Sequence, residues 1–374
     1  MTILACLALD VLALALALLP AVLAMTNLLA LRRPSEAPAP DGLVSILIPA
    51  RNEAANIRPT LEAALAGTGV PIEVIVADDH STDATAAIVA EIAARDCRLR
   101  LIAVPPLPVG WTGKNHACHV LGQAATGRHL LFIDADVRLA PGGAAALAGA
   151  AANAALVSGV PRQVTGTWGE RLTVPMINFV LLGYLPIPLM RRLTDPGLGA
   201  ACGQIVMVEA EAYRRVGGHG AIRGCLHDGV RLARLFRGAG LSTDLVAATE
   251  LATCRMYTDF SQAWAGFSKN AHEGMATPRA LPVWTLLLGG GHVLPLLLVI
   301  AALLGAGSLP LAAAALSLSL ATRAAITLAT REDPWTIALH PLTVALALAL
   351  QWNALLRPRR AGVATWKGRT YPAA

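Results

Sequence analysis

Hydrophobic and polar positions fall into three patterns along the chain. From Ile3 to Leu31 nearly every position is apolar, interrupted only by Asp10, Pro20, Thr26 and Asn27, and Arg32 and Arg33 come directly after. That length suits a bilayer span better than a secretory signal, whose apolar core is shorter and ends at a small-residue cleavage site. The paired arginines place the downstream domain on the cytoplasmic side. Pro34 to Asp41, with three prolines, reads as a short linker.

Beyond the linker the period shortens. Apolar runs predict strands at Val44 to Ile48, Ile72 to Ala77, Leu99 to Val104 and Leu130 to Ile133, separated by helices over Ala54 to Ala66, Ala84 to Ala94 and one that follows Lys114 and runs to Ala125. Strands alternating with helices imply an α/β doubly wound, mostly parallel sheet with helices on both faces. A further strand is expected over Gly199 to Val208, a flexible loop at Gly217-Gly218-His219-Gly220, and a helix over Val230 to Arg237. Met176 to Met190 is apolar but broken by Pro186 and Pro188 and too short to span; it is either core or a segment lying on the bilayer, with the interface favoured.

The third pattern begins at Leu281. Three apolar blocks, Leu281 to Leu304, Leu309 to Thr330 and Trp335 to Leu356, are each long enough to cross a membrane. Three crossings from a cytoplasmic domain would put Arg357, Arg359, Arg360, Lys367 and Arg369 outside, against the positive-inside tendency. Either the alanine-rich middle block, which contains Arg323, is re-entrant or another block does not cross. The expected organisation is an N-terminal transmembrane helix (1–33), a linker (34–42), a cytoplasmic catalytic domain (43–275), a membrane region of two or three spans (276–358) and a basic tail (359–374).

Composition supports a membrane protein: 55% of the 374 residues are hydrophobic and only 14% charged. A net charge of +6 is carried by scattered arginines, which makes nucleic acid a poor partner. The six cysteines form no CxxC pair and read as small apolar fillers in a reducing compartment.

In doubly wound sheets ligands bind beyond the carboxyl ends of the strands. Polar clusters lie there: Pro49-Ala50-Arg51-Asn52-Glu53 after the first strand, Asp78-Asp79-His80-Ser81-Thr82-Asp83 after the second, Gly110-Trp111-Thr112-Gly113-Lys114 before a helix, and Asp134-Ala135-Asp136 after the fourth strand. Taken singly each has a plain structural reading, with Asn52, Ser81 and Asp83 as helix caps and Gly110 and Gly113 as turn residues. Asp228 could likewise be an N-cap. Two carboxylates spaced as Asp134 and Asp136 are, with water and phosphate completing the shell, suit Mg²⁺ or Mn²⁺, so a metal-bridged diphosphate is the first chemical hypothesis.

In combination these motifs resemble the family 2 glycosyltransferases of the GT-A fold over most of Val44 to about Gly274. The Gly110 to Lys114 segment, Gly217-Gly218-His219 and Gly266-Phe267-Ser268-Lys269-Asn270 resemble the membrane-anchored branch that glycosylates carotenoids and hopanoid-type lipids. The resemblance implies that Pro49, Glu53, Asp78, Asp79, Trp111, Lys114 and Asp134 bind a nucleotide-sugar donor, with Asp79 on the base and Lys114 on the diphosphate. It implies that Asp134 and Asp136 hold the cation and that Asp228 is the base of a single inverting transfer of a hexosyl group to a lipid. His227 stands where the family commonly has Glu; it would lower rather than raise the pKa of Asp228, or share its role. No Gln-x-x-Arg-Trp sequence comes after Asp228, Ser261-Gln262-Ala263-Trp264 being the nearest approach. That absence argues for one transfer rather than processive chain extension.

Two other readings stay open: transfer to a polyprenyl phosphate, which needs no general base, and a non-catalytic membrane scaffold or transporter keeping the fold. The few ionisable residues in the predicted spans disfavour transport. A nicotinamide dehydrogenase lacks its Gly-x-Gly-x-x-Gly turn after the first strand.

Overall fold

The structure, a computed structural model, describes residues 3–35 and 42–356 and a C-terminal hairpin of Val363–Trp366 with Arg369–Pro372. Most of the predicted linker (36–41) and the basic residues Arg357, Arg359, Arg360 and Lys367 lie outside the described residues. The chain divides into two compact units. One contains 31–164, 189–256 and 361–374, and the other 1–30, 165–188 and 257–360.

Apart from the C-terminal hairpin, the described residues of the first unit form ten short strands: β1 (Val44–Ala50), β2 (Ile72–Asp78), β3 (Leu99–Ala103), β4 (His129–Ile133), β5 (Val137–Leu139), β6 (Leu156–Ser158), β7 (Arg162–Gln163), β8 (Ile205–Glu209), β9 (Thr243–Leu245) and β10 (Ala252–Cys254). Seven form the main sheet in the order β3-β2-β1-β4-β8-β6-β9, and β5, β10 and β7 form a small second sheet. The pairs β1/β2, β2/β3, β1/β4 and β6/β9 are parallel. The sheet is nevertheless mixed, because β8 runs antiparallel to both neighbours.

Both faces of this sheet are covered, which is why its central strands read as unbroken apolar runs. Along β1, Val44, Ile46 and Ile48 enter one core while Leu47 enters the other, beside Ile75, Leu130 and Phe132. The parallel strands β1, β2 and β4 all end on one edge, so the loops after Ala50, Asp78 and Ile133 share a rim.

Two expectations for this unit need correction. Only Ile205–Glu209 of the predicted strand Gly199 to Val208 joins the ladder. The glycines before it pass against the next helix, Asp228–Gly238: a Cβ on Gly203 would meet the Asp228 Oδ1 at 2.5 Å, and one on Gly229 would meet the Ala201 carbonyl oxygen at 2.5 Å. The Gly217 to Gly220 stretch is a packed turn rather than a flexible loop. Gly217 and Gly218 take left-handed φ values of 79° and 49° and open a short helix, Gly218–Ala221, that buries His219.

The second unit is helical. Among the described residues three helical segments, Ala5–Ala30, Ala280–Leu303 and Leu309–Thr330, are long and apolar enough to cross a membrane. The third predicted C-terminal block is interrupted: Trp335–Ala338 is a single turn, and the next helix, His340–Leu356, has 17 residues, short of the about 20 a span uses. Within Ala280–Leu303, residues Thr285–Val293 relax into a π-helix containing Gly289-Gly290-Gly291. A Cβ on Gly290 would lie 2.4 Å from the Leu16 side chain, and one on Gly291 2.9 Å from the Leu16 carbonyl oxygen. Small residues thus let the two helices touch backbone to backbone.

Most of the segment favoured as interfacial, Met176 to Met190, is packed as core instead, Leu189 near its end being the exposed exception. It forms helices Met176–Tyr184 and Ile187–Arg192, with Met176, Phe179, Leu182, Ile187 and Met190 buried. The break falls where Pro186 pushes Leu185 out of the helical region. Asn27, fully buried, repairs it: its Nδ2 donates to the carbonyls of Leu182 and Leu185 at 2.7 Å, and its Oδ1 accepts from the Ile187 amide at 2.9 Å.

Candidate active site

The loops after β1 and β2 lock onto each other. Arg51 Nη1 donates to the carbonyls of Asp79 at 2.5 Å and His80 at 3.1 Å. The Asn52 and Ala54 amides donate to Ser81 Oγ and the Asp83 carboxylate at 3.0 Å, and the Glu53 amide to Thr85 Oγ1 at 2.8 Å. Asn52 and His80 both adopt left-handed φ, 52° and 58°, the strain being held by these cross-loop bonds. The result is a rigid shelf on which Asp79 is buried, with His80 Nδ1 3.3 Å from its Oδ1. Asp78 accepts from the Ser81 amide through Oδ2 at 3.3 Å, while its buried Oδ1 has no partner.

Lys114 is delivered by the helix Gly113–Ala124, whose N-cap Thr112 accepts from the Asn115 amide. Asn115 Nδ2 pins this helix start to the carbonyls of Ile222 and Cys225 at 2.8 Å. So fixed, Lys114 Nζ reaches three groups from separate parts of the sequence. It lies 2.6 Å from Asp134 Oδ1, 2.9 Å from Asp228 Oδ2 and 3.2 Å from the Gly203 carbonyl oxygen.

These groups line one pocket with Pro49, Cys118, Phe132, His219, Gly229 and Leu232. Of the sequence-predicted residues, the pocket brings Pro49, Lys114, Asp134 and Asp228 together. Glu53, Asp78 and Asp79 stand on the shelf, and Asp136 one strand-step behind Asp134. Trp111 turns onto its own helix, its ring 5.1 Å from His119 and 5.3 Å from His116. His227 is the residue before the Asp228 helix and makes no side-chain cap to it.

The electrostatics separate the acids. Burial opposes ionisation of Asp228, but the Lys114 ammonium outweighs it and, with smaller help from His219 and His227, holds the carboxyl below its usual range. Asp134 is shifted the other way, by burial first and by the Asp228 charge, against the pull of Lys114. Asp136 is pushed up to about 7 by burial, then by Asp134 and Glu53. Burial disfavours charge on Lys114 too, yet Asp134 and Asp228 keep it charged, well above its ordinary value.

Sequence reasoning did not place His219 in the pocket. Its Nδ1 lies 2.8 Å from the Tyr213 hydroxyl, its ring packs 4.8 Å from Phe132, and burial lowers its pKa to about 4. The signal available was the pair of glycines before it, read as looseness when it marks a tight turn.

Residues 45–220 match the family described as Glycosyl transferase family 2. The matched region is a family 2 glycosyltransferase domain. It is 27% identical over 238 residues to the 4,4'-diaponeurosporenoate glycosyltransferase of Staphylococcus aureus strain MRSA252, a match covering 62% of this chain and 61% of that protein. The protein of strain USA300 with the same name is 27% identical over 241 residues. The chain therefore spans less than two thirds of the length of the curated relatives it matches. Among solved structures, the mannosyltransferase PcManGT from Pyrobaculum calidifontis, in complex with GDP-Man and Mn²⁺, aligns over 93% of this chain and 99% of its own. The TM-score is 0.56 at 20% identity, so the likeness is one of fold.

The acidic pair suits a hard divalent cation. Asp136 Oδ1 is buried with no hydrogen-bond partner, and two carboxylates share the site under only one ammonium. Among the described residues no group of three or more His, Cys, Asp or Glu side chains is placed to hold a metal. A cation here would complete its shell with water or phosphate oxygens, as Mg²⁺ does.

Proposed function

We propose that this glycosyltransferase moves one hexosyl group from a nucleotide-sugar to a lipid acceptor at the membrane, inverting the anomeric centre. The observation that carries this reading is Lys114, whose ammonium joins an acid of the Asp134/Asp136 pair to Asp228 within 3 Å of each. The diphosphate's partners and the base thus converge on one spot, as a single displacement requires.

The shelf residues Glu53, Asp78 and Asp79 face the nucleoside, with the Asp79 carboxylate accepting from base or ribose, and Trp111 steadies the loop before Lys114. Lys114 meets the diphosphate as a point charge. Asp134 and Asp136 hold Mg²⁺ or Mn²⁺, which when bound offsets the charge growing on the departing nucleoside diphosphate. Asp228 takes the proton of the acceptor hydroxyl as its oxygen bonds the anomeric carbon and the bond to the phosphate oxygen breaks. Its low basicity at rest suits an acceptor acidified in the transition state. The lipid acceptor is supported by the membrane-length helices and by the curated relatives. We place the catalytic unit on the cytoplasmic side of a multi-pass protein, on the strength of Arg32 and Arg33.

One observation favours a second form of the acceptor. The relatives' name denotes a carboxylate, and an ionised carboxylate, like a polyprenyl phosphate, attacks without a base. Asp228→Asn separates the cases: a hydroxyl acceptor predicts a loss of roughly 10²- to 10⁴-fold in turnover with donor still bound. A carboxylate or phosphate acceptor predicts turnover retained.

The direct test of the class is thermal stability of the purified protein against a panel of nucleotide sugars with and without Mn²⁺. Saturation at a hundred times the dissociation constant stabilises by about 2.7 kcal/mol. We expect one donor to shift the melting point only with metal and only with Asp134 intact. No shift with any donor would overturn the donor assignment.

A further inference from the structure

The edge of the main sheet farthest from β3 carries a second feature. The strap Leu31 to Arg33 runs beside β9: Arg32 forms a parallel bridge with Val246, and its carbonyl accepts from the Ala247 amide at 2.9 Å. Asp244, on β9 and almost fully buried, is gripped by Arg32 at 3.0 Å and by Arg191 at 2.7 Å. From the other side buried Arg237 donates to the carbonyls of Asp195 and Met190 at 2.8 and 3.1 Å, to Thr243 Oγ1 at 2.9 Å and to the Leu193 carbonyl. Two buried groups thereby gather three distant segments into one surface.

The charge on that surface is uneven. Residues 31–33, 189–198 and 237–246 contain five arginines against two aspartates. Asp244 is consumed internally, and Asp195 is turned onto the Gly197 amide at 2.6 Å. Arg33 and Arg192 are exposed, and Arg32 keeps half of its side chain in solvent while paired. In the same stretch of chain as Arg192 stand two leucines, Leu189 and Leu193, 44% and 48% exposed. Exposed arginines near bare leucines match the headgroup–acyl boundary of a bilayer, where the apolar side chains sink and the guanidinium groups stay at the phosphates. Connectivity agrees, since Arg32 comes two residues after a helix of membrane-spanning length that ends at Ala30. Two residues reach no more than about 7 Å.

We infer that Arg33, Arg192, Leu189 and Leu193 form a docking surface for anionic phospholipid headgroups, separate from the pocket around Lys114. Its occupant is the membrane surface itself, recognised by phosphate charge and not by a free phosphate ion. The inference does not depend on the glycosyl-transfer reading.

The test uses the full-length protein in phosphatidylcholine bilayers doped with spin-labelled phosphatidylglycerol or phosphatidylcholine, and reads the relative association of the two lipids. A juxtamembrane arginine adds about 1 kcal/mol toward an anionic surface, about fivefold. We expect phosphatidylglycerol to be preferred severalfold, the preference to fall at high salt, and Arg33→Gln with Arg192→Gln to remove most of it. Arg33→Lys with Arg192→Lys should retain it. Arg95→Gln, at the end of the helix packed on β3, should leave it unchanged and controls for total charge. Equal association of the two lipids with the unsubstituted protein, which needs no variant to fold, would overturn the inference. So would a preference that survives the double Gln substitution. Neither readout involves a nucleotide sugar, so either result leaves the glycosyltransferase reading where it stands.

Discussion

Two acidic loops share the rim of the sheet and differ in kind. After β2, Asp83 has its carboxylate filled: the Ala54 amide, the Thr85 amide and the Thr85 hydroxyl all donate to it, at 3.0, 2.9 and 2.5 Å. After β4, Asp134 and Asp136 are more deeply enclosed yet less provided for. Asp136 has one oxygen with no partner, and Asp134 relies on an ammonium it shares with Asp228. The same residue type spends its hydrogen-bonding capacity inside the protein at Asp83, whereas Asp136, like Asp78 at the end of β2, keeps one buried oxygen without a partner. A buried polar group without a partner costs stability, a cost that a cation bound at Asp136 would offset.

Substitution should break that contrast in opposite directions. The largest effect is expected for Asp136→Asn: metal-dependent hydrolysis of the donor should fall by about a hundredfold or more, the scale of a lost cation ligand beside the leaving group. The melting point should not fall, because the change removes an enclosed charge. Unchanged hydrolysis would dissolve the distinction. Asp83→Ala should do the reverse, costing about 1 kcal/mol in chemical denaturation while turnover of the folded protein stays within a few fold. The smallest effect is in pH. Burial raises the pKa of Asp83, but the bonds from Thr85 and Ala54 outweigh it and hold the carboxyl below its ordinary 3.8. Its contribution is therefore complete above that value and lost as pH falls through the lowered one. Asp83→Asn should show a shallower decline in stability over that acid range. Parallel curves would mean that the loop bonds hold no preference for the charged form.

The strands and the rim were legible because a sheet covered on both faces writes itself as apolar runs ending in polar clusters. Val44–Ala50, Ile72–Asp78 and His129–Ile133 extend the predicted runs by one or two residues each. What the pattern concealed had other causes. The direction of β8 depends on pairing with β4 and β6, partners far away in sequence. The Gly199 to Gly203 stretch looked extended because its glycines say only that something passes close, and that something is the start of the Asp228 helix. His219 hid behind the ambiguity of Gly217-Gly218, which permits either looseness or a strained turn. Met176 to Met190 looked interfacial because an apolar segment too short to span has two homes, and only the position of Asn27 decides between them.

Asn27 also bears on how the protein is made. The backbone groups it satisfies, at Leu182, Leu185 and Ile187, lie 155 to 160 residues after it in the sequence and are synthesised later. The helix that carries Asn27 thus serves as an internal template that completes the proline-broken segment. A form of this protein released by trimming that helix would not be a soluble enzyme with its tether cut. It would be an unfinished fold, with three main-chain groups left facing an apolar interior.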